Sequence, residues 1–150
     1  MENVLISACL LGFACKYCGG SNKLSERQLA ALGERFRLIP VCPETAGGLP
    51  TPRDPSERLG DRVVSKQGRD VTAQYQKGAE TALWLARRYD CKAALLKEKS
   101  PSCGSGMIYD GTFSGKLIPG DGVAAEMLKK EGHIVFGESD VDLLITVFQE

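Results

Sequence analysis

The sequence predicts an α/β fold in which a mostly parallel sheet carries helices on both faces, a compact three-layer, Rossmann-like architecture. Short β-branched and apolar runs, typical of buried strands, alternate along the chain with apolar residues at helical spacing. The 150 residues match one ordinary domain in size, and no repeat or low-complexity segment interrupts them. We therefore expect a single domain over residues 1–150.

The first part of the chain is predicted to run from strand to helix to strand. Residues 4–6 form a strand of the buried type, and a turn-rich segment with three cysteines, SACLLGFACKYCGG, follows directly. The spacing of apolar residues predicts a helix over 25–36, and a second strand covers 37–41. Four of the seven prolines fall in CPETAGGLPTPRDPSERLG, which predicts irregular structure.

The later part continues the alternation of strands and helices. The predicted strands cover 62–65, 93–96 and 133–136, and the predicted helices cover 71–89 and 123–131. Asp70 is placed to cap the first of these helices, and Gly132 marks the end of the second. A Gly-rich segment, YDGTFSGKLIPGDG, precedes the second of these helices, and residues 141–148 fit a helix or a strand equally.

Charge and hydropathy indicate the kind of partner. The chain has 19 lysines and arginines and 19 aspartates and glutamates. It therefore lacks the excess of positive charge that would indicate binding to nucleic acid or to an anionic membrane. The start, MENVLISACL, lacks the basic flank and long apolar core of an export signal. We expect a cytoplasmic monomer or weak homodimer that binds a small molecule and contacts neither nucleic acid nor membrane.

Three of the six cysteines directly follow predicted strand ends: Cys9, Cys42 and Cys103. Loops at the carboxyl ends of parallel strands share one edge of the sheet, so these thiols are expected to meet there. In a reducing compartment clustered thiols bind metal more often than they form disulfides, and thiolates prefer a soft metal or an iron–sulfur cluster. Three protein ligands would leave a coordination position open for substrate. The alternative is three small buried hydrophobes.

The other cysteines divide into two groups. Cys91 begins the third buried strand, at the end opposite Cys103, and is predicted to lie in the core. Cys15 and Cys18 form a CxxC pair, a motif that elsewhere indicates zinc or redox chemistry. The sequence has no second CxxC and one histidine, so a structural zinc site would lack its second half.

Polar residues near the three strand-end cysteines are candidates for chemistry. Glu44 follows Cys42 by two residues and could donate or accept a proton beside a bound sulfur, or it could be a solvated surface residue. Ser100 and Ser102, with the amides of residues 104–106, could bind a polar ligand, or they could bond their own turn.

Lys97 and Lys99 alternate after the third buried strand and therefore share a face. They could reach a ligand at the same edge of the sheet. The alternative is a salt bridge to Glu57 or Asp54.

Several motifs in one order carry a resemblance to a known family. They are SACLLG, PVCPE with the following GGLPTPR, the GRDVT..Y..GA segment, LKEKSPSCG and IYDGTFSG. In this combination the chain resembles the bacterial thiouracil desulfurase family from residue 4 to about 137. One departure is Cys18, where an aspartate is commoner in the family.

The resemblance implies a 4Fe-4S cluster on three cysteine ligands, Cys9, Cys42 and Cys103, with one open iron site that takes the sulfur of a thiolated pyrimidine. It implies Glu44 and Ser100 as catalytic residues, and the candidate substrate-binding residues are Ser7, Lys97, Ser102 and Gly104. The implied reaction releases the sulfur of 2-thiouracil, or a related base or nucleoside, as sulfide without net redox change. The alternatives are a non-catalytic sulfur or metal carrier that uses the same thiols, and a redox protein that works through the CxxC pair.

Overall fold

The computed structural model describes residues 1–148, so the last two residues of the predicted domain lie outside the described part. The strands are β1 (Glu2–Ser7), β2 (Phe36–Val41), β3 (Ser56–Leu59), β4 (Arg62–Ser65), β5 (Cys91–Leu96), β6 (Met107–Tyr109), β7 (Leu117–Pro119) and β8 (Val135–Gly137). The helices are α1 (Glu26–Arg35), α2 (Pro43–Ala46), α3 (Thr72–Arg88), α4 (Val123–Lys130) and α5 (Val141–Val147), with 3₁₀ turns at Ala8–Leu11 and Glu138–Asp140.

Four of the strands form a parallel sheet in the order β2-β1-β5-β8. Successive residues of a strand point to opposite faces. Accordingly Leu5 packs with the buried residues of α3 and α4, whereas Val4 and Ile6 pack with those of α1 and α5. The predicted parallel sheet with helices on both faces is therefore confirmed.

The helix boundaries follow local signals. The Ser25 hydroxyl accepts the N–H of Gln28 at 3.1 Å, and the Gln28 side chain accepts the N–H of Ser25 at 3.1 Å, which is a capping box for α1. Helix α3 begins at Thr72, one residue later than predicted, with Val71 as its N-cap. The predicted cap, Asp70, still accepts the N–H of Thr72 at 2.9 Å.

The proline-rich segment was predicted to be irregular but contains regular structure, and so does the Gly-rich segment. The proline-rich segment holds α2, for which Pro43 at the first helical position is favourable, and β3, which pairs antiparallel with β4. The Gly-rich segment holds the antiparallel hairpin β6–β7. The undecided segment 141–148 is the helix α5, because one of its faces packs on the sheet. Among residues 1–148, no helix has the length and apolarity that a membrane crossing requires.

Candidate active site

A cavity of about 600 Å³ lies at the carboxyl edge of the parallel sheet. Its wall includes the last residues of β1 and β2, Ser7 and Val41, and the residue after β5, Lys97. In parallel α/β sheets this edge is where ligands bind. The three strand-end cysteines, Cys9, Cys42 and Cys103, all line this cavity. The topology thus brings together thiols that lie far apart in sequence.

Each thiol enters the cavity from a different element. Cys9 lies in the 3₁₀ turn after β1, Cys42 is the N-cap of α2, and Cys103 lies in the turn after β5 with 4% of its surface exposed. Burial raises the pKa of Cys103 to about 12, although hydrogen bonds with Ser7 and Ser102 oppose that rise. Burial likewise raises the pKa of Cys9. Without a metal partner these two groups are therefore neutral thiols at pH 7.

A fourth cysteine, which sequence reasoning left outside the site, also lines the cavity. The Cys42 thiol donates to the carbonyl oxygen of Cys15 at 3.8 Å. Burial, followed by the neighbouring Cys42, raises the pKa of Cys15 to about 12. Its CxxC partner, Cys18, is exposed and is not part of the cavity wall, so the structure separates the pair. Cys91 is buried in the core, as predicted.

Within residues 1–148, no three Cys, His, Asp or Glu side chains lie close enough together to hold a single metal ion. The shared cavity wall, rather than one common contact point, is what joins the thiols.

Glu44 is held from both sides by hydrogen bonds. Arg53 Nε donates to Oε1 at 3.1 Å, and Ser102 Oγ donates to Oε2 at 2.8 Å. The side chains of Arg53 and Glu44 are 6% and 14% exposed. The alternative of a solvated surface glutamate is therefore wrong, because α2 turns this carboxylate into the cavity wall.

Arg53 is a site residue that the sequence analysis missed. Besides Glu44, its guanidinium donates to the carbonyl oxygen of Cys15 at 2.9 Å, to that of Pro50 at 3.3 Å and to Thr51 Oγ1 at 3.0 Å. Its only sequence signal is its place in the GGLPTPR motif, since a lone arginine in a proline-rich loop does not reveal a buried role.

The turn that carries Cys103 places both serines on the cavity wall. Ser100 Oγ accepts the N–H of Cys103 at 2.8 Å and lies 3.4 Å from Ser102 Oγ. Gly104 does not line the cavity, because its N–H donates to the carbonyl oxygen of Ser100 at 2.9 Å inside the same turn. The Gly104 amide is therefore bonded within the turn, and its role in substrate binding stays a prediction.

Lys97 lines the cavity, but its predicted alternative salt bridges are wrong. Lys97 Nζ donates to Glu138 Oε1 at 2.6 Å, because β8 ends beside β5 and brings Glu138 next to it. The N–H of Lys97 donates to Ser7 Oγ at 2.9 Å, which fixes that hydroxyl on the wall. Glu57 instead accepts backbone amides, and Asp54 accepts from Gln67 at 3.3 Å.

Comparison with known proteins gives the same family as the motifs. The model of the 2-thiouracil desulfurase family matches residues 4–140. This chain belongs to the 2-thiouracil desulfurase family. The resemblance found in the sequence is thus confirmed, and the chain is a member of an enzyme family named for removing sulfur from 2-thiouracil.

Two relatives of this desulfurase family member cover nearly its whole length. The uncharacterized protein YbbK of Bacillus subtilis (strain 168) is 42% identical over 149 aligned residues, covering 93% of this chain and 97% of YbbK. The structure of the [4Fe-4S]-dependent thiouracil desulfidase TudS matches with a TM-score of 0.91 and 45% identity, covering 98% of this chain and 99% of that one.

Close backbone contacts fix α2 in this desulfurase family member. A Cβ on Gly78 of α3 would lie 1.8 Å from the carbonyl oxygen of Pro43, and one on Gly47 would lie 1.9 Å from that of Gln74. Real side chains cannot tolerate such distances, so the two glycines let α2 lie directly against α3. This contact sets the position of Glu44 on the wall.

Proposed function

We propose that this protein removes the sulfur of a thiolated pyrimidine, 2-thiouracil or a related base or nucleoside, as sulfide at a [4Fe-4S] cluster held by Cys9, Cys42 and Cys103. The observation that carries the proposal is the shared cavity, in which these three thiols, Glu44 and Ser100 line one wall. Membership of the 2-thiouracil desulfurase family supports the reaction class. The similarity to a [4Fe-4S]-dependent thiouracil desulfidase supports the cofactor.

The donor set fits such a cluster. Cysteine thiolates are the usual ligands of iron–sulfur clusters, and each binds a different iron, so the sulfurs need not meet at one point. Cys9, Cys42 and Cys103 line one cavity from three different elements, which supports this assignment. Binding the cluster would release the protons that the buried thiols hold in its absence. When bound, the cluster supplies an iron without a protein ligand, a Lewis acid that suits a soft sulfur.

Water replaces sulfur in the proposed reaction, so no oxidant or reductant is needed. The oxygen of one water bonds to the carbon that carried sulfur, the carbon–sulfur bond breaks, and the water's two protons leave with sulfide or on a protein base. Glu44 is the base, because Arg53 and Ser102 hold its carboxylate in a fixed direction on the wall. Ser102 Oγ donates the hydrogen bond that Glu44 accepts at Oε2. This hydroxyl could pass a proton to the carboxylate.

Ser100 is suited to donate a hydrogen bond to the substrate. Its oxygen already accepts the N–H of Cys103 at 2.8 Å, so its own hydrogen remains available. Ser102 Oγ, which could accept this hydrogen, is 3.4 Å away, which is long for a hydrogen bond between hydroxyls. A polar atom of a pyrimidine in the cavity would offer this hydroxyl a shorter partner.

The test is anaerobic reconstitution with iron and sulfide, followed by incubation with 2-thiouracil. We expect broad visible absorption from the cluster, and uracil and sulfide in equal amounts. Cys103→Ala should lose the absorption and the activity. Cys91→Ala is the matched control, since Cys91 lies in the core away from the cavity wall, and it should retain both. Wild-type protein that binds no iron would contradict the proposal.

The carrier alternative differs in stoichiometry. A carrier would release at most one sulfide for each protein molecule, whereas an enzyme would release many sulfides for each protein molecule. Counting sulfide against protein over several hours separates the two, and a plateau at one equivalent would favour the carrier.

A further inference from the structure

Phe113 is an apolar ring in an otherwise polar loop at the desulfurase cavity. Residues 110–116, DGTFSGK, join β6 to β7, and Phe113 is the one large apolar residue among them. The residue is half-buried, yet it belongs to neither hydrophobic core cluster. It lines the cavity instead. Phe113 is therefore partly buried at the cavity wall and not in the hydrophobic core.

The backbone at Phe113 adopts a conformation that side chains disfavour. Its φ is 58°, in the left-handed region, where a residue with a β-carbon is uncommon. Such positions persist when the surrounding structure holds them, and they concentrate at functional sites. The loop therefore keeps Phe113 in place against a local preference.

A buried carboxylate holds the loop in this conformation. Glu57, 8% exposed, accepts the N–H of Gly111 at 2.9 Å and that of Phe113 at 3.1 Å through the same oxygen, Oε1. At the other side of the loop, Asp110 Oδ1 accepts the N–H of Thr112 at 2.9 Å and its hydroxyl at 2.6 Å. These bonds fix the backbone that carries Phe113 before any ligand arrives, which reduces the entropy lost on binding.

The chemistry of a planar heterocycle matches such a ring. Aromatic side chains stack on the faces of nucleobases, and each stacked base gains appreciable affinity. Tyr17 and Tyr109 also line the cavity, but neither of them has the left-handed backbone that singles out Phe113. We propose that Phe113 is a specificity-determining residue of this desulfurase and stacks on the pyrimidine ring of the substrate. This inference rests on the proposed function for the identity of the ring.

The experiment compares Phe113→Ala with Phe113→Tyr, which keeps an aromatic face. The matched control is Phe13→Ala, because Phe13 is 55% exposed and does not line the cavity. Two quantities are measured: KM and kcat for 2-thiouracil with reconstituted protein, and the Kd of uracil for cluster-free protein by calorimetry. Phe113→Ala should raise KM and Kd roughly 5- to 150-fold, the range that loss of one base stack gives. Its kcat should stay within about twofold of wild type, since stacking on the ring face is expected to stabilise the bound substrate and the transition state equally.

Phe113→Tyr should restore both constants to within about threefold of wild type, and Phe13→Ala should change neither. The inference is overturned if KM and Kd of Phe113→Ala stay within about twofold of wild type, or if Phe13→Ala shifts them equally. It is also overturned if wild-type protein does not bind uracil. Uracil binding that depends on Phe113, without sulfide release by the wild type, would instead reject the proposed function and retain the ring contact.

Discussion

Arg53 joins three segments of the cavity wall, so truncating it to alanine should destabilise the cluster-free protein. Its guanidinium donates to Glu44 on α2, to the carbonyl oxygen of Cys15 in the loop after β1, and to Pro50 and Thr51 in its own loop. Alanine removes all four hydrogen bonds. It also leaves a carboxylate that is 14% exposed without its cationic partner.

The size of the effect follows from the burial of this pair. Breaking a buried ion pair by removing one partner costs about 3–5 kcal/mol, whereas an exposed pair contributes about 0–1 kcal/mol. The two side chains, 6% and 14% exposed, belong to the buried class. For a chain of this length each kcal/mol lowers Tm by about 2–4 °C, so we expect a fall of roughly 6–20 °C. Arg53→Lys keeps the charge but loses the planar fork, and its Tm should lie between those of the wild type and the alanine variant.

The assay is thermal unfolding followed by circular dichroism at neutral pH under reducing conditions. Arg62→Ala is the matched control, because Arg62 pairs with Asp70 at 3.6 Å with both side chains more than half exposed. It should lower Tm by no more than about 2–4 °C. Combining Arg53→Gln with Glu44→Gln in a double-mutant cycle isolates the pair itself, and a coupling energy of about 1–3 kcal/mol is expected.

Catalysis gives a second measure of the same contact. If Arg53 orients the carboxylate of Glu44, Arg53→Lys should lower kcat roughly 10- to 100-fold, because small displacements of a catalytic group are costly. The reasoning is refuted if Arg53→Ala unfolds within about 2 °C of wild type, or if the cycle shows no coupling.

Two further predictions concern stability alone. Gly78→Ala should destabilise the protein by about 1–3 kcal/mol or more, because the new Cβ would lie 1.8 Å from the carbonyl oxygen of Pro43. The control Gly33→Ala, whose Cβ would meet open space, should stabilise it by about 1 kcal/mol. Urea unfolding of both variants measures the difference. Burial, and to a lesser degree the Asp90 carboxylate, raises the pKa of Cys91 from 9.0 to about 11. The folded state therefore favours the neutral thiol, and this contribution to the free energy of unfolding is complete below pH 9.0 and is lost as the pH rises to about 11. Wild type should therefore lose more Tm over that range than Cys91→Ala, and equal losses would contradict the assignment.

The sheet and the meeting of the strand-end thiols could be predicted because both depend on local patterns and one topological rule. The run at 4–6 is apolar on both faces, as a strand between two helix layers requires. Once the sheet is parallel, residues after the strand ends share an edge, so Cys42 and Cys103 were expected at that edge, and both line the cavity there. Such inferences need no knowledge of side-chain partners.

The parts that could not be predicted depend on partners far away in sequence. Arg53 and Glu57 lie in the proline-rich segment, whose local pattern indicates only turns, and their burial comes from groups on other elements. Lys97 finds Glu138, 41 positions away, because β8 ends beside β5. The CxxC spacing grouped Cys15 with Cys18, but Cys15 lines the cavity whereas Cys18 is exposed and does not line it. Spacing in sequence does not fix distance in an irregular loop.

Backbone contacts at glycines, rather than side-chain packing, set the distances between the segments that carry the proposed ligands. Gly78 brings α2, with Cys42 at its N-cap, against α3. Gly122 brings the start of α4 against the turn of Cys103, where a Cβ would lie 2.5 Å from the carbonyl carbon of Ser102. Interdigitated side chains can repack by changing rotamers, whereas two backbones in contact leave no such freedom. These contacts hold the cavity wall in place in the protein without a ligand, which is the rigid support that the proposed cluster site would need.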